Sequence, residues 1–587
     1  MKQFFKFLFA SMLGFFLSIV LIFFVLIAII SATVSSAGKE EVKVSEGSIL
    51  HISFNQAIKE RSSNNPFETL DLGKLRAKQQ PGLNDILGEI KNAKTDANIK
   101  GIYLDVQSIA AGIATTEEIR NALLDFKKSG KFIYAYAEEY TQGAYYLASV
   151  SDKIYLNPQG ALTLNGLATQ LAFFKGTLDK LEIEPEVIRH GKYKSAIEPF
   201  IRADMSEENR TQIAGFIDPI WNHMATNIAA SRKLTKEEIY LIADSLKARN
   251  ANTALELKLV DQLAYYDQFV EDLNMKCGKE KSAELKLISI SKYRNAVKST
   301  GLAKDKIAVI YANGEIQSGE GDDNTIGSET LAEAIAQARK DEKVKAIVLR
   351  VNSPGGSALA SDIIWREVIL AKKSKPVVVS MGDVAASGGY YISCAADKIF
   401  AEPNTITGSI GVFGLMFNAG NMFKNKLGIT FDTYKTSNYT DLGTMSRPLT
   451  PGERLIMQNS VDEVYNTFTS RVAEGRKMKQ ADVDSIGQGR VWSGVDAKRI
   501  GLVDELGGVE DAIKAAASLA KLKEFRIKSL PEQEEPFQML MSDLSSEAKT
   551  WYMENKLGVG YEYYKAANDL VKVQGIQART LYGVKFN

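Results

Sequence analysis

Two glycine-rich turns in the second half of the chain carry residues that could do chemistry. Ser387 lies in the turn AASGGYY (385–391), where small neighbours would leave its hydroxyl exposed between a strand and a helix, a suitable place for a nucleophile. The turn VNSPGGS (351–357) has backbone N–H groups that could hold a developing oxyanion, or it could merely be a tight turn. Because Ala385 stands where a GxSxG elbow has its first glycine, the pattern does not indicate an α/β-hydrolase.

A serine at neutral pH needs a base, and the first half of the chain offers two candidates. Lys194 and His190 both lie in RHGKYKSAIEPFIR (189–202), four residues apart. Histidine is the familiar partner of a catalytic serine. Lysine has an ordinary pKa of about 10.4 and could serve only if burial lowered that value by about 3–5 pH units. The spacing is also typical of a solvated surface lysine, so the residues alone leave the identity of the base open.

Composition excludes several other kinds of chemistry. The chain has 587 residues, with 72 Lys and Arg against 71 Asp and Glu, and this balance disfavours nucleic-acid binding. Two cysteines exclude a disulfide-framed scaffold and a multi-thiolate zinc site, and three histidines, none four residues from another, exclude an HExxH zinc helix. No Gly-Lys pair is followed by Ser or Thr, so there is no P-loop. We therefore expect no metal and no cofactor.

The chain contains an internal duplication with a spacing of about 245 residues. Several matches share one order and one register, which chance similarity between α/β sequences would not produce. The sequence therefore predicts two copies of one domain. The matching segments are IKGIYLDVQSIAAG (99–112) with VKAIVLRVNSPGGS (344–357), TQGAYYLASVSDKIY (141–155) with ASGGYYISCAADKIF (386–400), and KLVDQL (258–263) with GLVDEL (501–506).

The two copies have lost complementary residues. The first copy has Gln142 in place of Ser387 and no equivalent of the Pro-Gly-Gly turn. The second copy has Thr440 in place of Lys194. One composite site at the boundary of two domains would produce this pattern.

Each copy alternates β-branched runs with helical periods, which indicates mainly parallel sheets covered by helices. Active groups in such folds lie in loops at strand ends. We expect a helix over 357–373, and a second helix whose start is marked by the capping-box spacing of Thr330 and Glu333. The predicted strands of the second copy are 306–311, 346–351, 376–380 and 398–402.

The N-terminal segment predicts a membrane helix. Residues 7–38 include no charged residue, and about 20 apolar residues are enough to span a bilayer core. Lys2 and Lys6 favour a cytoplasmic N-terminus with the remainder outside, although Lys39 and Lys43 weaken this signal. Small residues at 34–37 could form a cleavage site, so a cleaved signal peptide is the alternative.

The predicted organisation has four parts. Residues 55–80 have no counterpart in the second copy. The tail is rich in aromatic residues, including Trp551 and Tyr561, which we expect to pack on the second copy or between subunits; we assign the tail no function. The parts are an anchor and linker (1–45), a first repeat that supplies the lysine (46–295), a second repeat that supplies the serine (296–530) and a helical tail (531–587).

The chain resembles the signal peptide peptidase A (protease IV) family in its long tandem-repeat form. The resemblance implies two tandem ClpP/crotonase-like α/β domains and a serine endopeptidase that degrades cleaved signal peptides without a cofactor. It also implies a homotetramer in the bacterial inner membrane, with a single membrane pass and the catalytic domains on the periplasmic side. The motifs that carry the resemblance are YKSAIEPFIRADMS (193–206), RVNSPGGS (350–357), GDVAASGGYYIS (382–393) and TGSIGVFG (407–414).

The resemblance also implies residue roles. It makes Ser387 the nucleophile and Lys194 the general base, so that His190 has no catalytic role. The backbone amides of Gly356 and Gly388 would form the oxyanion hole. Ser409, in the motif TGSIGVFG, would bind and orient the lysine.

Two other functions fit parts of the sequence. An acyl-CoA enzyme of the crotonase type would use the same fold and two backbone amides, but it would need neither an acylable serine nor an extracytoplasmic anchor. A non-catalytic membrane scaffold would use the repeats only to build an oligomer, and it would leave the unequal loss of motifs unexplained.

Overall fold

The computed structural model describes residues 2–37, 43–54, 56–62, 70–71, 76–77, 81–296, 303–533, 556 and 576–579. Within these residues the chain forms two α/β units in succession. The first unit and the helix before it contain α1 (Lys2–Ala37), β1 (Ser48–Ser53), β2 (Leu70–Asp71), β3 (Arg76–Ala77), α2 (Leu83–Thr95), β4 (Ile99–Asp105), α3 (Ile113–Lys127), β5 (Phe132–Tyr140), α4 (Gln142–Ala148), β6 (Lys153–Leu162), α5 (Lys175–Leu181), β7 (Glu184–His190), a 3₁₀ turn (Ser195–Ile197), α6 (Glu198–Ile201), α7 (Glu207–Arg232), α8 (Lys236–Asp244), α9 (Ala251–Glu256), β8 (Gln262–Leu263), α10 (Tyr266–Lys276), β9 (Leu287–Ser289) and α11 (Ile290–Ala296).

The second unit repeats this alternation of strands and helices. All four predicted strands of this unit are present, and so is the helix predicted over 357–373. The elements are β10 (Lys306–Asn313), β11 (Glu315–Gln317), β12 (Thr325–Gly327), α12 (Ser328–Lys340), β13 (Val344–Ser353), β14 (Gly355–Ser357), α13 (Ala358–Lys372), β15 (Val377–Ala386), α14 (Gly388–Ser393), β16 (Lys398–Ala401), β17 (Ile406–Gly408), β18 (Val412–Asn418), α15 (Gly420–Leu427), α16 (Pro451–Arg476), α17 (Gln480–Ile486), β19 (Val491–Ser493), α18 (Gly494–Arg499), β20 (Glu505–Leu506), α19 (Val509–Leu519), β21 (Arg526–Leu530) and, from the tail, β22 (Ile576–Arg579).

A mainly parallel sheet forms the centre of each unit. The first sheet has the order β8-β6-β5-β4-β1-β9, and each of its neighbouring pairs is parallel. The second has the order β19-β17-β15-β13-β10-β21, with β16 beside β15, and only the β17–β19 pair is antiparallel. Both sheets are rich in fully buried Ile, Leu and Val, as expected for parallel strands covered on both faces. The predicted α/β class with two tandem units is confirmed.

A further sheet joins the two units. Its order is β12-β11-β14-β22-β18-β7, so β7 of the first unit lies beside β18 of the second. The two strands are antiparallel, and their pairing runs from His190 opposite Val412 to Glu184 opposite Asn418. The end of β7 is therefore held within the second unit.

The duplicated residues make the same contact in each unit. The Tyr145 hydroxyl donates to the carbonyl of Leu259 at 2.8 Å. The Tyr390 hydroxyl donates to the carbonyl of Leu502, also at 2.8 Å. Each contact joins two of the segments that match between the copies. A buried hydroxyl needs such a partner, which explains why both segments recur together.

The start of α12 differs from the prediction. The helix begins at Ser328, after Gly327, and no side chain caps it. Thr330 lies inside the first turn and accepts a hydrogen bond from the Gly321 amide at 3.1 Å. The predicted capping box is therefore wrong, because a loop contact uses the threonine hydroxyl.

No helix in the part of the chain that the structure describes combines the length and the apolar character needed to cross a membrane. The predicted membrane anchor is therefore not confirmed. The aromatic residues that we expected to pack in the tail lie outside the described residues.

Candidate active site

Ser387 occupies the sharp junction between β15 and α14. Its backbone has φ 55° and ψ −114°, a conformation that is uncommon for a residue with a side chain. The pairing of β15 with β17 ends one residue earlier, at Ala386, and the Ser387 amide donates to the carbonyl of Gly408 at 2.8 Å. Residues held in such backbone conformations cluster at functional sites. The structure therefore places Ser387 between a strand and a helix, as predicted, but the prediction that its hydroxyl is exposed is wrong, because the residue is fully buried.

Lys194 reaches this junction from the first unit. It follows β7, which pairs with β18, and the amide of the preceding Tyr193 donates to the carbonyl of Gln488 at 2.9 Å. The Lys194 residue is only 1% exposed. Backbone contacts with the second unit thus carry a first-unit lysine into the interior.

The Lys194 amine lies between two serines. Its Nζ is 2.9 Å from Ser387 Oγ and 3.1 Å from Ser409 Oγ. The carbonyl of Ser409 is a third partner at 3.4 Å. All three of these partners are uncharged, so none of them compensates an ammonium for lost hydration. Burial lowers the pKa of Lys194 to about 7.

Ser409 is fixed by its own backbone. The residue has φ 50°, and its amide donates to the carbonyl of Arg490 at 2.7 Å. Its hydroxyl lies 3.4 Å from the carbonyl oxygen of Gly489. Ser409 therefore brings a hydroxyl with a fixed backbone position to Lys194.

The glycine turn lies against the start of α14. A Cβ added to Gly355 would lie 2.7 Å from the Gly388 nitrogen, and a Cβ added to Gly356 would lie 2.0 Å from the carbonyl oxygen of Ile316. Only glycine allows this close approach of backbones. The structure thus brings the glycine turn at Gly355 and Gly356 beside Gly388, the residue after Ser387, although the two came from separate motifs.

A strand from the tail lies beside these glycines. β22 runs antiparallel between β14 and β18, with Ala578 opposite Gly356 and Gln577 opposite Phe413. Ala578 is 1% exposed. A Cβ on Gly355 would lie 2.1 Å from its carbonyl oxygen. Residues of the protein itself therefore occupy the gap between β14 and β18 next to Ser387, which we call the slot.

Sequence reasoning missed this strand and two other contributors. The Ser387 hydroxyl lies 3.4 Å from the carbonyl oxygen of Gly411, and the ring centroid of Phe413 is 6.0 Å from Lys194 Nζ. Both residues belong to the motif TGSIGVFG, which therefore indicated more of the site than Ser409 alone. The sequence of β22, Ile-Gln-Ala-Arg, alternates apolar and polar residues, but four residues are too short a run to predict a strand by themselves.

His190, the competing base, faces another partner. Its Nδ1 lies 2.7 Å from Asp462 Oδ1, and its ring stacks on Tyr465 with a centroid separation of 3.9 Å. Both contacts are with α16. The structure therefore brings Lys194, and not His190, to Ser387.

We expect Gly489→Ala to disturb the site through Lys194. Gly489 has φ +81°, and an added Cβ would lie 2.7–2.8 Å from the backbone nitrogen, Cα and Cβ of Lys194. The matched control is Gly501→Ala, because Gly501 has φ +82° and open space around it. The control should cost about 1–2 kcal/mol for backbone strain. Gly489→Ala should cost about 1–3 kcal/mol more because of overpacking. Urea unfolding measures the free energy of unfolding of both variants. Equal losses of this free energy would contradict the packing account.

Comparisons with known proteins identify the family to which the chain belongs. The model of peptidase family S49 matches residues 125–279 and 369–523, and that of Clp protease matches residues 299–407. Protease 4 of Salmonella typhi is 41% identical over 485 residues, which cover 81% of this chain and 78% of that protein. Protease 4 of Haemophilus influenzae is 34% identical over 590 residues, which cover 97% and 94%. The chloroplastic serine protease SPPA of Arabidopsis thaliana is 35% identical over 502 residues, which cover 84% and 73%.

The family model matches once in each unit, in agreement with the internal duplication. The match with Clp protease agrees with the mainly parallel α/β architecture. These matches favour a peptidase over an acyl-CoA enzyme or a non-catalytic scaffold. The chain belongs to peptidase family S49 and is a serine protease in the tandem-repeat form.

Proposed function

We propose that this protein is an endopeptidase in which Ser387 is the nucleophile and Lys194 is the general base. One observation carries the proposal: a buried amine from the first unit lies 2.9 Å from the hydroxyl of Ser387 in the second. An amine can accept a proton only when it is uncharged. With a pKa of about 7, Lys194 is uncharged in a large fraction of molecules at neutral pH.

The proposed reaction follows acyl-transfer chemistry. Lys194 Nζ takes the proton of Ser387 Oγ as this oxygen attacks the peptide carbonyl carbon. The amides of Gly356 and Gly388 hold the tetrahedral oxyanion, a contribution of about 3–4 kcal/mol per donor in comparable sites. The lysine then protonates the leaving amine, and water hydrolyses the acyl-enzyme. Ser409 keeps the amine oriented through both steps.

The position of β22 supports an extended peptide as the substrate. A peptide between β14 and β18 could form main-chain hydrogen bonds on both sides, as in other cases of strand addition. Such bonds recognise the backbone and so suit a peptidase that acts on many sequences. The burial of Ala578 supports a small side chain at the position that faces Gly356.

Signal peptides at a membrane are the proposed substrates. The motifs shared with the signal peptide peptidase A family support this class and a homotetrameric assembly. Large apolar side chains on α1, including Phe7, Phe15 and Leu21, are 65–71% exposed and would suit contact with a lipid phase. In this proposal α1 tethers the enzyme in the bacterial inner membrane, and the catalytic units face the periplasm.

The rate of Ser387 acylation should rise with pH and level off above about pH 8. Below the lysine pKa of about 7 the amine is an ammonium ion that cannot accept the serine proton, and above it the amine is free. The second-order rate constant for labelling by a fluorophosphonate, measured from pH 5 to 9, reports this inflection. A rate that still rises tenfold per pH unit at pH 9 would contradict a base with a lowered pKa.

Ser387→Ala and Lys194→Met should each lower peptide cleavage by at least about 10³-fold, because each removes a reacting group. Methionine fits the buried lysine site without a charge, so the protein should remain folded. The matched control is Ser393→Ala: Ser393 is also fully buried, but its hydroxyl donates to the carbonyl of Gly389 within α14. Cleavage of a synthetic signal peptide is the assay, and normal activity of Lys194→Met would refute the dyad.

Truncation before residue 576 should raise the rate of peptide cleavage. β22 pairs with both walls of the slot, and main-chain hydrogen bonds are worth about 1 kcal/mol each. Removing two or more of these hydrogen bonds would free the slot for substrate, and cleavage should therefore be faster by about tenfold or more. Arg579→Ala, which removes only the 2.9 Å contact to Glu315, should have a smaller effect. An unchanged or slower rate in the truncated protein would show that β22 does not compete with substrate.

A further inference from the structure

The strand that carries Ser387 contains a bulge four residues upstream. Between the pairs Val351–Met381 and Ser353–Ala385, β13 advances by two residues and β15 by four. A bulge changes the direction of a strand, and bulges are common next to active sites. The two extra residues leave backbone groups without partners in the ladder, so something outside the ladder must hold this bend.

Glu60 of the first unit lies against the bulge. Its Oε1 accepts from Asn352 Nδ2 at 3.0 Å, and Asn352 Oδ1 accepts from the Val384 amide at 3.1 Å. A Cβ on Gly382 would lie 2.8 Å from the same carboxylate oxygen. Glu60 therefore positions the side chain that satisfies a backbone amide of the bulge.

The carboxylate is itself fixed by a buried guanidinium. Arg350 on β13 donates through Nε to Glu60 Oε2 at 2.8 Å and through Nη2 to Glu118 Oε1 at 2.5 Å. The side chain of Arg350 is fully buried, and those of Glu60 and Glu118 are 7% and 2% exposed. Arg350 also donates to Ser380 Oγ on β15 at 2.8 Å. The Arg350 guanidinium thus links β13 to β15, and two first-unit carboxylates hold it in place just upstream of the residues that form the site.

A second first-unit contact holds the other side of the bulge. Asp383 accepts from the amide and the hydroxyl of Thr115, at the start of α3, at 2.9 and 2.7 Å. A Cβ on Gly112 would lie 2.0 Å from the Asp383 carboxyl carbon, so α3 approaches as closely as glycine permits. Two first-unit residues, Glu60 and Thr115, therefore hold the bulge through separate hydrogen bonds.

We propose that Glu60 is a positioning residue for Ser387, acting through Asn352 and Arg350 on the bulge of β15. It belongs to residues 55–80, the segment without a counterpart in the second copy, and so gives part of that segment a role. The first unit then makes two contributions to the reaction: Lys194 as the base, and Glu60 as the residue that positions Ser387 next to that base. This inference rests on the proposed acylation of Ser387.

The test is the kinetics of Glu60 variants in the full-length protein. A displacement of about 1 Å can cost about 100-fold in rate. Glu60→Ala should therefore lower kcat by about 100-fold per folded molecule. Glu60→Gln keeps the packing and one acceptor oxygen, but its amide nitrogen would face a donor of Arg350 or Asn352, so kcat should fall measurably and by less than in Glu60→Ala. KM should change less than twofold in both variants, because Glu60 lies outside the slot.

The matched control is Glu89→Gln. Glu89 is also 7% exposed, but its hydrogen bond to Asn92 stays within α2 of the first unit. A purely structural role predicts that Glu60→Gln and Glu89→Gln change only the melting temperature and leave kcat and the rate of fluorophosphonate labelling unchanged well below it. That result would overturn the inference. Failure of the unaltered protein to label at Ser387 would instead overturn the proposed function, and this inference with it.

Discussion

This site depends on one constraint, which is that the amine of Lys194 must be buried away from water. An exposed lysine remains charged at neutral pH and cannot accept a proton from serine. At Lys194 the chain replaces the hydration of the amine with two hydroxyls and a carbonyl, and burial lowers the pKa to about 7. A partner carboxylate would oppose this effect by stabilising the ammonium ion. The site therefore needs enclosure by uncharged groups, and one α/β unit alone does not provide it.

The two units provide that enclosure by sharing a sheet. β7 leaves the first unit to pair with β18, and Lys194 follows directly at its end. The second unit supplies the walls, with Ser409 beside the amine and Phe413 6.0 Å from it. Duplication followed by unequal loss fits this arrangement, because a composite site needs only one lysine and one serine. The copies could then diverge without loss of the reaction.

Much of the architecture is local enough to be predicted from sequence. Runs such as 306–311 and 346–351 are strands because β-branched residues suit a sheet that is buried on both faces. The proximity of Ser387 and Lys194 was also predictable, because the two copies have lost complementary residues. The pairing of β7 with β18, the bulge of β15 and the insertion of β22 were not, since each depends on backbone contacts between distant segments. Thr330 shows the same limit, because a loop amide uses the hydroxyl that the sequence assigns to a helix cap.

The protonation state of Lys194 tests the central claim most directly. Neutron diffraction from a perdeuterated crystal at about pH 8.5 would count the deuterons on the amine without any inference from rates. Two deuterons on Nζ, with the lone pair directed at the Ser387 oxygen, are the result that we predict. Three deuterons at that pH would mean a charged amine, and the enclosure of Lys194 would then not make it a base.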